Sequence, residues 1–239
     1  MPTHDADSAA ASIAAAIGVP ARAKMLYCML DGRARTSTEL AIAADVTAST
    51  ASIHLGLLHD HHLVHVFAQG KHRYYALAGK DVAWALEALS VVAGAPRRTG
   101  SRTPHPLRFA RSCYDHIAGS VGVALHDRLQ QLRWFSGRPG DRTAYSLTRA
   151  GEFALEGLGI DVDAMRSERR RFAFGCIDWS ERRPHIGGAL GAALLTHALA
   201  KRWVSRDLDT RALSVSAFGR RELQKRFGLS LDEHLAIEL

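Results

Sequence analysis

Residues 36–77 read TSTELAIAADVTASTASIHLGLLHDHHLVHVFAQGKHRYYAL, and this run decides the fold. Thr36-Ser37-Thr38-Glu39 is a capping box, in which a threonine oxygen and a glutamate carboxylate satisfy backbone N–H groups reciprocally. It opens a short helix over 39–44. Asp45-Val46-Thr47 makes a turn, and Thr47 caps a second helix over 48–61. In that helix Ala51, Leu55 and Leu58 recur at spacings of four and three, which buries one face. The small polar residues Ser49, Thr50 and Ser52 turn outward. Two β-prone runs follow, 63–67 and 74–77, around the glycine-containing loop Gln69-Gly70-Lys71-His72-Arg73. They predict a hairpin with a basic tip. A helix, a turn, a second helix and a wing, in that order, place the second helix in the major groove of DNA.

Thr47, Ser49, Thr50, Ser52 and His54 are the candidate contacts on the second helix. Small hydroxyls suit phosphates, and histidine can donate or accept at a base edge. Lys71, His72 and Arg73 would meet the minor groove or the backbone from the wing, although Lys71 and Arg73 also read as an ordinary solvated hairpin tip. Ile53 could touch a thymine methyl or be half-buried. His59, His61 and His62 read as the surface end of the helix.

Ser52-Ile53-His54-Leu55-Gly56-Leu57-Leu58 fits the pattern S-x-H-L-x-x-L, and Gly70 to Leu77 fits G-[KR]-x-x-[YF]-Y-x-L. With Pro20-Ala21-Arg22 opening the preceding helix, residues 8–95 resemble the ArsR-type family of bacterial winged-helix repressors. That resemblance implies a dimer on a palindromic double-stranded DNA operator, with the helix at 81–93 in the dimer interface. Val82, Leu86, Leu89 and Val92 lie along one face of it, as they also would in the core helix of a monomer. The family's metal sites do not carry over. The cysteines they need near 36–41 are absent, and Asp81 stands on its helix without a histidine.

The chain has 239 residues and a formal charge of +7, which suits one large domain or two small ones and a nucleic-acid partner. The charge is uneven. Residues 1–95 hold 7 Lys/Arg and 8 Asp/Glu, a balance of −1, and the rest hold 24 and 16, a balance of +8. The arginines at 97, 98, 102, 108, 111 and 166–171 read as solvated surface or as phosphate contacts beside the reading head. No apolar run nears the ~20 residues of a membrane span. The polar start and three cysteines, Cys28, Cys113 and Cys176, predict a cytoplasmic, reduced protein that does not touch a membrane. Three domains are expected: 1–95 for DNA binding and dimerisation, a Gly/Pro/Arg linker over 96–108, and 109–239 as a regulatory module.

The module contains a repeat at an offset of 69. His116 to Ser136 aligns with His185 to Ser205 at nine identities in 21 positions. Each copy predicts a helix beginning near its histidine, a short strand from the tryptophan, a hairpin turn, a strand and a helix. Gly119 and Gly122, like Gly188 and Gly191, stand at i,i+3. Glycine costs a helix about 1 kcal/mol against alanine, so close helix-to-helix approach is the expected reason. The fold class is therefore mainly α with small β-hairpins: a winged helix-turn-helix followed by a helical module of two repeats.

Before each repeated helix stands a reactive group: Cys113-Tyr114-Asp115-His116, and Cys176-Ile177-Asp178-Trp179 running on through Arg182 to His185. Packed about a twofold, Cys113, His116, Cys176 and His185 would share one cleft. Thiolate and imidazole are ligands for a divalent metal of intermediate softness. Two neighbouring cysteines could instead sense oxidation. Tyr114, Asp178, Trp179 and Arg182 with the same Cys/His groups could line a pocket for a small-molecule effector. The histidines and cysteines could equally be packing residues, with Asp115 and Asp178 as helix caps. The functional expectation is an effector-controlled DNA-binding repressor rather than an enzyme. The alternatives are a thiol-dependent enzyme using these cysteines, and a constitutive DNA-binding protein.

Overall fold

A computed structural model describes residues 4–69, 72–93, 105–136, 144–207 and 210–231. Lys71 and most of the expected linker over 96–108 lie outside them. The chain forms two compact units, divided between Leu86 and Glu87.

The first unit runs α1 (His4–Ile17), α2 (Pro20–Cys28), β1 (Arg35–Thr36), α3 (Ser37–Ala44), α4 (Ala48–Asp60), β2 (Val64–Gln69) and β3 (His72–Leu77), and reaches into α5 (Lys80–Ala93). Local chemistry sets its boundaries. Pro20 stands at the start of α2, where no N–H partner is lost. At α3 both arms of the capping box form: Glu39 N donates to Thr36 Oγ1 at 3.3 Å, and Thr36 N donates to Glu39 Oε2 at 2.6 Å. Asp45 ends α3 in the left-handed conformation, φ 58°. Thr47 then opens α4, taking Thr50 N on its side-chain oxygen at 3.2 Å. The sheet has the order β1-β3-β2, antiparallel, with the wing in register from Val64↔Leu77 to Gln69↔His72. Met25, Leu26, Leu30 and Leu40 are fully buried, as are Leu55 and Leu58 on the inner face of α4. Each is worth roughly 1.5–3 kcal/mol of transfer free energy.

The second unit runs α6 (His105–Phe109), β4 (Arg111–Cys113), β5 (His116–Ala118), α7 (Gly119–Gln131), β6 (Phe135–Ser136), β7 (Ser146–Leu147), α8 (Arg149–Gly157) and α9 (Val162–Ser167). It continues with β8 (Phe174–Ile177), β9 (Pro184–Gly187), α10 (Gly188–Ala200), β10 (Val204–Arg206), β11 (Leu213–Val215) and α11 (Ala217–Phe227). Hairpin, helix, hairpin, helix thus occurs twice in order. The β4–β5 and β8–β9 hairpins pack on each other's helices, α7 against β9 and α10 against β5. Trp134 and Trp203 both lean on Phe227, at 5.7 and 6.3 Å between ring centroids, and anchor the shared core.

Two local expectations need correction. His116 and His185 do not begin helices. They sit on β5 and β9, and the helices start three residues later at Gly119 and Gly188. The glycines, moreover, make room for strands. Gly119 and Gly188 have φ of +79° and +89°, and a Cβ at either would press on backbone carbonyls of the segment before its hairpin. A Cβ on Gly122 would strike the Ile117 carbonyl, and one on Gly191 would strike the Ile186 carbonyl and come within 2.9 Å of His116 Cβ. The close approach that glycine permits is therefore helix to hairpin. Among the described residues no single helix is long and apolar enough to cross a membrane.

Candidate functional site

On α4 the buried stripe of Ala51, Leu55 and Leu58 fixes which side faces out. Thr47, Ser49 and Ser52 are exposed, Ile53 is 66 % exposed, and Thr50 and His54 are half-buried. The Thr47 hydroxyl also meets Ser49 Oγ and Thr50 Oγ1 at 3.0 and 2.9 Å, so it serves the helix end as well as the surface. Ser52 Oγ donates back to the Ala48 carbonyl at 3.0 Å. His54 keeps a buried Nδ1 without a partner. Beside this face the wing exposes Arg73, cross-strand from Ala68, and His72 stands at the hairpin end opposite Gln69. The structure thus places Thr47, Ser49, Ser52, Ile53 and Arg73 on the surface of the first unit.

In the second unit the two hairpins bring one cysteine and one histidine each to a common point. Cys113 and His116 are direct cross-strand partners in β4–β5, as are Cys176 and His185 in β8–β9. The pairing is made through a two-residue turn in one hairpin and a longer loop in the other. One ligand-type atom from each of the four residues lies within 4.8 Å of the others. Cys113 Sγ and Cys176 Sγ are 4.0 Å apart, and His116 Nε2 and His185 Nε2 are 3.1 Å apart. All four side chains are buried, at 0–6 % exposure.

Each histidine is backed by a carboxylate, and each carboxylate by an arginine. His116 Nδ1 lies 3.1 Å from Asp115 Oδ1, whose other oxygen accepts from Arg170 at 2.6 Å. His185 Nδ1 lies 3.4 Å from Asp178 Oδ2, and Asp178 Oδ1 accepts from Arg111 at 2.8 Å. Asp178 does not cap the helix after its own hairpin. Its Oδ2 accepts Gly119 N at 2.7 Å, at the start of α7, and its Oδ1 accepts Ser180 N and Oγ. Although burial alone would raise it, the Arg111 guanidinium holds the Asp178 carboxyl far below its usual range. Burial, and next the neighbouring His116, push His185 well down toward the neutral form. The Cys113 thiol is pushed up, first by its hydrogen bond with Cys176 and then by burial.

The other expected effector residues are not among the four converging Cys/His side chains. Tyr114 is at the β4–β5 turn with φ 58°, half-buried. Trp179 stacks under the Arg111 guanidinium at 4.4 Å. Arg182 is exposed and donates to the Val91 carbonyl at 2.7 Å. Arg111, read from sequence as a surface or phosphate-binding arginine, is fully buried and belongs to the centre instead. Its signal was available: it stands two residues before Cys113, and on a strand i and i+2 share a face. Arg170, in the other arginine run, has the same role on the opposite side.

No protein-family model matches the chain. An uncharacterized HTH-type transcriptional regulator of Bacillus subtilis (strain 168), YdfF, is 36% identical over 224 residues, covering 92% of this chain and 98% of that protein. Among solved structures, NolR from Sinorhizobium fredii matches at 25% identity with a TM-score of 0.35, over 38% of this chain and 95% of its own. A homodimeric winged helix-turn-helix DNA-binding domain from Mycobacterium bovis matches at 28% identity with a TM-score of 0.35, over 39% of this chain and 87% of its own.

Proposed function

The chain belongs to the HTH-type transcriptional regulators, and on that premise we propose that it is a dimeric repressor whose grip on a double-stranded DNA operator is set by an effector in its second unit. The observation that carries the DNA-binding part is the outward face of α4. Its polar side chains Ser49 and Ser52, with Ile53 beside them, stand exposed, while the opposite stripe is fully buried. Ile53 is an exposed apolar side chain, and a thymine methyl would cover it. Repression is supported by the resemblance of residues 52–58 and 70–77 to the ArsR-type repressors. Dimerisation is supported by Trp84, Leu89 and Val92, apolar and exposed on α5.

The effector reading rests on the second unit. Its two runs of hairpin, helix, hairpin, helix are read as two copies of one unit, closed on each other about an approximate twofold. The buried Cys/His centre stands where the copies meet. An effector there would favour one arrangement of the module, and through it one operator affinity.

The test begins with in vitro selection of a duplex from random DNA, followed by binding across a salt series. Arg73→Ala should lower affinity and reduce the slope of log K against log salt by about one, because one phosphate contact is lost. Ser52→Glu should abolish binding by setting a carboxylate against the groove. Unchanged affinity and slope in both variants would remove α4 and the wing as the DNA-reading surface.

A further inference from the structure

We propose that Cys113, His116, Cys176 and His185 form a closed tetrahedral zinc(II) site that locks the two hairpins of the second unit together. As a metal site it stands on its own geometry; as the identity of the controlling effector it rests on the effector reading above.

The sulfur-to-sulfur and nitrogen-to-nitrogen distances are those of such a site. With Zn–S near 2.3 Å and Zn–N near 2.05 Å, tetrahedral angles put the two sulfurs about 3.8 Å apart and the two nitrogens about 3.3 Å apart. The protein has 4.0 Å and 3.1 Å. These two spacings match to a few tenths of an ångström, and the sulfur-to-nitrogen pairs, which lie within 4.8 Å, would close to about 3.6 Å around the ion.

The histidines are oriented for a metal. Asp115 and Asp178, paired with Arg170 and Arg111, are ionised and can only accept, so each histidine facing them carries its hydrogen on Nδ1. The Nε2 lone pairs then point at each other across 3.1 Å. Two lone pairs do not share that space without a cation or a proton between them. Carboxylate behind histidine behind metal is the common outer arrangement of zinc sites, fixing tautomer and ring orientation. On His185 the carboxylate stands farther back, with Asp178 Oδ2 3.4 Å from Nδ1 and no hydrogen bond formed.

Charge decides between the two candidate occupants. A single proton between the imidazoles leaves a buried net positive charge beside two thiols. Zinc binding displaces one proton from each thiol, so that Zn²⁺ with two thiolates and two neutral imidazoles is neutral, and two H⁺ leave for solvent. A neutral centre is far cheaper to bury than a charged one. The set of two sulfurs and two nitrogens at tetrahedral spacing selects zinc among the common divalent ions. All four positions are filled by the protein, which makes the site a clamp and leaves no open position for hydrolytic chemistry.

The full chain, purified with a thiol reductant and no added chelator, should carry one zinc per chain by elemental analysis. After chelation, cobalt(II) should restore occupancy and give the intense visible bands of tetrahedral coordination together with sulfur-to-cobalt charge transfer. Cys176→Ala and His116→Gln should lose the metal, and Cys28→Ser should keep it. Should both site variants fail to fold, the cobalt spectrum of the unaltered chain still decides. A metal-free chain that takes up neither zinc nor cobalt, or a Cys113–Cys176 disulfide in the freshly purified reduced protein, overturns the site. Operator affinity should differ between zinc-loaded and chelated chains by about five- to 150-fold. A loaded site with unchanged operator affinity would leave the clamp standing and overturn zinc as the controlling effector.

Discussion

At the scale of the residue, the least replaceable side chain in the second unit is Arg111. It is fully buried, donates to Asp178, to Ser180 and to the Leu107 carbonyl, and lies over Trp179. Removing one member of a buried ion pair strands the other charge in the protein interior, at a cost of about 3–5 kcal/mol. Arg111→Met keeps the volume of the side chain and removes the charge. It is expected to destabilise the chain by that amount, read as a drop in the urea midpoint at unchanged slope. The paired substitution Arg111→Met with Asp178→Leu should recover part of the loss, since the stranded carboxylate is gone; recovery of nothing would mean that Asp178 matters mainly through Gly119 N and His185. Gly191 is constrained in a different way. Its missing Cβ is the space occupied by the Ile186 carbonyl and approached by His116, so Gly191→Ala should cost about 1–3 kcal/mol by overpacking.

At the scale of the element, the two halves of the second unit solve the same problem with different residues. Thr148 opens α8 by accepting Gly151 N at 3.2 Å and donates to the Arg133 carbonyl at 2.7 Å. Ser216 opens α11 by accepting Gly219 N at 2.9 Å and donates to the Arg202 carbonyl at 2.8 Å. Arg133 and Arg202 both turn through the left-handed region, φ 54° and 57°, just before their tryptophans. Thr148→Ala and Ser216→Ala should each lower stability by about 1 kcal/mol, the usual worth of an N-cap, and the losses should add because the caps share no partner. Thermal melts of the two single variants and the double variant check this. The same elements show what could be read beforehand. The capping box at Thr36, the turn at Asp45 and the hairpin to Leu77 were legible because local chemistry sets them within a few residues. The Cys113/His116 and Cys176/His185 hairpins do not stand out in the sequence as strands, since three- and four-residue strands packed against a partner hairpin carry little periodicity of their own. Their nearness was legible only through the repeat, and the carboxylates and arginines behind the histidines come from a tertiary arrangement that spacing along the chain does not encode.

At the scale of the whole molecule, the charge distribution bears on how many chains meet one operator. Residues 1–95 carry a balance of −1 and the remainder +8. A single reading head with an exposed Arg73 and a near-neutral domain holds few phosphates, and non-specific affinity grows with each phosphate neutralised. Two heads on one duplex double those contacts and fix them one helical turn apart, which is how dimeric helix-turn-helix proteins read paired half-sites. Among the described residues, Trp84, Leu89 and Val92 are apolar and exposed along α5, at 39 %, 44 % and 83 %. An isologous contact places each such patch against its own copy, so one substitution acts twice. Leu89→Glu with Val92→Glu puts four carboxylates into that contact. The full-length variant is expected to sediment as a monomer where the unaltered chain sediments as a dimer. It should also lose at least tenfold in affinity for a two-half-site duplex while binding a single half-site as the unaltered chain does. A variant that remains dimeric would move the interface away from α5, and the exposed alanines of α1 would be the next surface to charge.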